Sequence, residues 1–155
     1  MLEAISKEKQ DRLLYFLKDD KHAMLFCLDL LYVSHLWDDL LDLDKQRSGE
    51  EINEAFIRSL WRIPSNPFYR QCQPALLPMM YNALSMWLES STLKKGDENG
   101  KLAAFALDNA GVEIIHFCIL IKGTIDWARE VGPEFWALFG PTTEDLTECL
   151  EAANV

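Results

Sequence analysis

Apolar residues recur at intervals of three and four along nearly the whole chain, and strict alternation is nowhere sustained, so the pattern predicts helices and no strands. Leu13, Leu14, Phe16 and Leu17 carry the helical spacing over residues 5–17, with Ser6 as a candidate cap. A longer helix is expected over residues 21–43, entered at Asp19-Asp20, where acids favour a helix start. Ser48-Gly-Glu-Glu51 has the spacing of a capping box, and Ile52, Phe56, Leu60 and Trp61 follow with helical periodicity. Pro64-Ser-Asn-Pro67 is expected to end that helix near Ile63, and Asn66-Pro67 to open a short one through Gln71. Residues 75–95 read as the next helix, with Pro78 in its first turn, and residues 96–100 as a loop. Residues 101–131 form a long apolar stretch with Gly111 and Gly123 as kinks or close-packing points, ended by Gly132-Pro133. A short aromatic helix over residues 134–139 and a capped one from Thr142 or Thr143 complete the pattern. The expectation is an all-α, single-domain helical bundle over residues 1–155, with about five main helices and some short ones.

Composition narrows this picture. At 155 residues and 49% hydrophobic, the chain is long and apolar enough to bury a core. A formal charge of −10 opposes binding to nucleic-acid phosphate and to anionic membrane surfaces. It suits cations or a basic protein surface. Cys27, Cys72, Cys118 and Cys149 form no CxxC pair; Cys27 and Cys118 lie in apolar helical runs, where a thiol behaves as a small hydrophobe. The expected setting is a reducing cytoplasm, with no signal core at the start and no stretch long enough to span a bilayer. The five tryptophans lie on different helices and are expected to pack a core or an interface. A homodimer would cover apolar surface in a chain this rich in tryptophan.

The candidate chemistry lies at the end of the second helix. The approach from Met24 to Leu36 holds a single acid, Asp29, and is followed by Asp38, Asp39, Asp42 and Asp44. On a helical wheel His35, Asp38, Asp39 and Asp42 share one face. Spacings of three and four bring their carboxylates near enough to share a divalent cation, and Mg²⁺ with a phosphate completing its shell is the natural occupant. The alternatives are a solvated helix face and a protein-docking patch. Acids at a helix C-terminus oppose the dipole, which favours a compensating cation.

A second polar stripe, Asn109, Glu113 and His116, lies inside an apolar helix at spacings of four and three. If it faces the acidic cluster, Glu113 is the candidate general base and His116 its orienter. Alternatively the three satisfy one another as a buried hydrogen-bonded network. Arg58, Arg62, Arg70 and Lys94-Lys95 are further groups able to meet an anion.

Asp38-Asp39-Leu-Leu-Asp42 resembles the DDxxD signature of class I isoprenoid synthases, all-α enzymes that hold a substrate diphosphate through Mg²⁺. The likeness covers these five residues. The acidic helix is also loosely similar to those of all-α nucleotide pyrophosphohydrolases, which bind Mg²⁺ and a nucleoside triphosphate. The longer run from Trp37 to Lys45, followed by Ile63-Pro-Ser-Asn-Pro-Phe-Tyr-Arg70, resembles small helical proteins of bacteriophages and prophages. That likeness implies a viral context and a host cytoplasm, with no activity attached.

Two expectations follow. In one, Asp38, Asp39 and Asp42 hold Mg²⁺ and the protein handles a phosphate or diphosphate ester, with Glu113 and His116 in the chemistry. In the other, the chain is a non-enzymatic acidic protein that docks on a basic host protein.

Overall fold

Local chemistry sets most of the helix boundaries. The structure, a computed structural model, describes residues 5–42 and 46–151. Helix α1, Lys7–Phe16, starts at Ser6, whose Oγ accepts from the Lys9 N–H at 3.2 Å. It closes with Asp19 N–H on the Leu14 carbonyl and Lys18 N–H on that of Tyr15, the paired bonds of a left-handed helix stop. Lys18 and Asp19 both adopt positive φ there, 55° and 59°. Asp20 then caps α2, Lys21–Asp42, its Oδ1 accepting from the N–H groups of His22 and Ala23. The expected end of this helix at Leu43, and Asp44 and Lys45, lie outside the described residues.

Helix α3, Gly49–Ile57, opens with the expected capping box: Ser48 Oγ accepts from Glu51 N–H, and Glu51 accepts from Ser48 N–H. It does not stop at Ile63. The backbone widens into a π-helical turn, Arg58–Arg62, with Ile63 N–H bonded to the Arg58 carbonyl, and makes a last turn, Ile63–Ser65, through Pro64. Asn66 separates it from α4, Pro67–Leu93; its Oδ1 caps Tyr69 N–H while its Nδ2 donates to the His22 carbonyl.

Helix α4 merges two expected helices, and neither Pro74 nor Pro78 interrupts it. Helix α5, Glu98–Asp108, is capped by Asp97, and α6, Ala110–Lys122, is set off by a turn at Asn109, not at Gly111. Gly123 does mark a break. Helix α7, Ile125–Phe139, runs through Gly132-Pro133, which was expected to end it. A residue before proline avoids the α conformation because its Cβ meets the proline ring, and Gly132 has no Cβ. Buried Ala128, Val131 and Phe135 on the same helix offset the missing N–H of Pro133. Helix α8, Thr143–Glu151, begins at a Thr142–Asp145 reciprocal cap. The described residues hold helices and turns and no strand, so the chain is all-α.

Contacts gather the chain into two compact units. The first is made of the described residues up to Gln73 together with Cys118–Thr124; the second is made of Pro74–Phe117 and the described residues from Ile125. In the first, Phe16, Leu17, Phe26, Cys27, Cys118 and Ile119 are fully buried. Phe26 stacks on Tyr69 at 5.6 Å, and Lys122 pairs with Asp20 at 2.7 Å. Burial pushes the Cys27 thiol up, and Cys27 and Cys118 are buried and free, in keeping with their reading as small hydrophobes. In the second, Phe135 is the buried centre between His116, Trp136 and Phe139. Helices α5 and α8 pack together there, Lys101 Nζ donating to the Leu150 carbonyl at 3.1 Å. No single helix among the described residues is long and apolar enough to cross a membrane.

Candidate functional site

The acidic run is met by an arginine. On the last turns of α2, His35 is exposed and Asp38 and Asp39 are half-buried, while the side chain of Asp42 lies outside the described residues. Arg47, on the approach to α3, donates through Nη2 to Asp39 Oδ2 and lies 3.3 Å through Nη1 from Glu51 Oε1. Its guanidinium is almost wholly buried, and its Nε finds no acceptor. A side-chain cation thus compensates Asp39. Among the described residues, no three His, Cys, Asp or Glu side chains converge as metal ligands.

The second stripe lies in the other unit, where its residues make separate contacts. Asn109 forms the turn before α6, its Nδ2 donating to the Phe105 carbonyl at 2.8 Å. Glu113 is exposed in the first turn of α6, a position the helix dipole favours for an acid. His116 is half-buried against Phe135 and Trp136, with both ring centroids 5.6 Å away. The exposure of Glu113 removes it from any buried network.

The structure assembles a different cluster around Asp29. This carboxylate is only 4% exposed, and its Oδ1 lies 3.2 Å from Arg58 Nη1 and 3.1 Å from Arg62 Nη2. Neither N–H is aligned well enough to satisfy that oxygen by a hydrogen bond. Glu54 Oε1 accepts from Arg58 Nε at 2.7 Å and from Arg62 Nη1 at 2.9 Å. The Arg58 guanidinium lies over the Tyr32 ring, 3.9 Å from its centroid. Burial pushes the Asp29 carboxyl above its ordinary value, outweighing the pull of Arg62 and Arg58. Burial also raises the Tyr32 phenol. A cavity of about 270 Å³ beside them is lined by Leu25, Leu28, Tyr32 and His35.

Two carboxylates and two guanidiniums neutralise one another, so the cluster exerts no net pull on a charged substrate. Its effect is mechanical. Arg58 and Arg62, four residues apart in the π-helical turn, are held inward, and the residues between and before them turn outward. Phe56, Ile57, Leu60 and Trp61 are 60%, 51%, 72% and 73% exposed. The buried positions of this segment are Ala55 and Ile63. Widening the turn to five residues shifts the register, a deformation often found at functional sites.

The sequence signals for this site were Asp29, the lone acid in an apolar run, and the i,i+4 pair Arg58 and Arg62. A second exposed apolar row, Leu77, Tyr81, Leu84 and Leu88, runs along α4. No protein family, curated protein or solved structure matches the chain.

Proposed function

We propose that this chain is a non-enzymatic interaction protein that docks another polypeptide on the ridge Phe56–Ile57–Leu60–Trp61. The carrying observation is the exposure of four large apolar side chains on one face of a segment whose opposite face is clamped by Asp29 and Glu54. Side chains of this size, exposed to this degree, present on the order of 500 Å² of apolar surface. Patches of that size on soluble proteins commonly serve binding. Tryptophan is among the residue types most able to dominate an interface once a partner covers it. Because the clamp orients the segment beforehand, less ordering is needed at the moment of binding.

The competing reading, Mg²⁺ on Asp38, Asp39 and Asp42 with a phosphate-bearing substrate, has less support because Arg47 already compensates Asp39. One experiment separates the two. A photo-crosslinking residue replaces Ile57 in the full chain, and adducts are sought with and without Leu60→Ser and Trp61→Ser. A discrete polypeptide adduct that the two substitutions abolish is the expected result. No adduct, together with a Mg²⁺-induced rise in melting temperature that Asp38→Asn and Asp39→Asn remove, would replace docking with the cation reading. Crosslinking to zwitterionic lipid vesicles in place of protein would also overturn it.

A further inference from the structure

Resting on that docking reading, we infer that the partner of the ridge is a second copy of the chain, packed about a two-fold axis with the two segments antiparallel. Three features of the ridge are self-complementary. The first is its register. In an antiparallel pair centred between Arg58 and Ser59, Ile57 meets Leu60 of the second copy and Phe56 meets Trp61 of the second copy. Every large side chain then finds a large apolar neighbour, and each contact occurs twice, as two-fold symmetry requires.

The second feature is charge. The ridge itself carries no acid, although the chain has a formal charge of −10. The exposed charges along the segment run from Glu50 at its N-terminal end to the outer part of Arg62 at its C-terminal end, Glu54 and Arg58 being engaged on the opposite face. Antiparallel packing brings the Glu50 end of one copy toward the Arg62 end of the other, and it also opposes the two helix dipoles. Arg62 is 40% exposed and has more N–H groups than its contacts with Asp29 and Glu54 use.

The third feature is area. About 500 Å² per copy, from side chains of this size, becomes about 1,000 Å² across the pair, the lower bound for a specific interface. An interface at that lower end is of the weak, reversible kind, not an obligate one.

The charge of each copy fixes the sign of the salt effect. Two bodies of charge −10 repel at long range, so added salt tightens a homodimer by screening that repulsion. Binding to a basic foreign protein would weaken under the same change.

The test is sedimentation equilibrium of the full chain from about 1 to 200 µM at low and high salt, a range suited to weak, reversible association. The expected result is a mass rising from 17.8 kDa toward twice that value. The transition shifts several-fold to lower concentration in high salt. Trp61→Ser with Leu60→Ser leaves a monomer of unchanged helicity. Tyr81→Ser with Leu84→Ser, on the other exposed row, leaves the dimer intact. In the crosslinking experiment, the adduct at position 57 falls on the peptide containing Leu60 of the second copy.

A monomer at every concentration, with the position-57 adduct on a foreign polypeptide, overturns the dimer while docking on the ridge stands. A monomer with no adduct at all overturns both. A dimer that the Tyr81 and Leu84 substitutions dissolve, and the Trp61 and Leu60 substitutions do not, moves the interface to α4 and overturns this assignment.

Discussion

Replacing Asp29 by asparagine tests whether the buried cluster stabilises the fold or only orients it. Each guanidinium 3.1–3.2 Å from Asp29 Oδ1 attracts it by about 5 kcal/mol at an effective dielectric of ~20. Against this stand the desolvation of a carboxylate only 4% exposed, several kcal/mol for an ion of this kind, and repulsion from Glu54, which shares both arginines. The misaligned N–H groups leave Oδ1 without a hydrogen bond, which adds to the penalty. The balance lifts the Asp29 carboxyl above its ordinary value, with burial the largest contribution against the pull of Arg62 and Arg58.

The sign follows by linkage. A carboxyl with a raised folded-state pKa binds its proton more readily in the native state. Stability therefore falls as pH rises from 3.8 through the folded value, and ionised Asp29 is a net cost at neutral pH. Asp29→Asn removes that ionisation at nearly constant volume. The expected outcome at pH 7 is a stability equal to or above that of the wild type, with the negative slope against pH reduced. It is measured by urea unfolding followed by helix circular dichroism between pH 3.5 and 7.5. Hydrogen exchange at Arg58–Arg62 should accelerate in the same variant, because the anchor of the π-helical turn is weakened. A loss of more than about 1 kcal/mol, the scale of one intramolecular hydrogen bond, would refute the reasoning by showing that the guanidiniums outweigh burial.

Three further outcomes are expected. Lys18→Gly should raise stability by about 1 kcal/mol, because Lys18 holds φ 55° at the stop of α1, where a Cβ is penalised; calorimetry checks it. Gly140→Ala should lower stability by roughly 1–3 kcal/mol, because the added Cβ would stand 2.5 Å from the Trp136 carbonyl oxygen and 3.0 Å from its ring; unfolding midpoints decide. Asp20→Ala should lower stability at pH 7 by about 1–2 kcal/mol through loss of the α2 cap and the Lys122 pair. Burial raises the Asp20 carboxyl, but Lys122 and the N–H groups of Ala23 and His22 outweigh it and hold the group below 3.8. Its contribution is therefore complete above that pH and lost as pH falls through the folded value, so variant and wild type converge in acid.

Helix starts were readable because a cap is a local bond. Ser6, Asp20, Ser48 with Glu51, and Thr142 with Asp145 each satisfy N–H groups two or three residues away. Prolines misled because their cost can be met from elsewhere. Gly132 relieves Pro133, and a widened turn carries α3 through Pro64. Asp29, the lone acid of its apolar run, is met by Arg58 and Arg62, and Asp39 by Arg47. Nothing near Asp29 in the chain named its partners, since they stand about thirty residues on.

The order of apolar and polar residues by itself determined that this protein is built of helices, and where most of them begin, because periodicity and capping act over a few residues. Which face of residues 49–65 looks outward was decided by tertiary structure. Periodicity alone makes this segment helical and leaves Trp61 to a core or an interface. Asp29, once buried, draws Arg58 and Arg62 inward, and the large apolar side chains of the opposite face are left at the surface.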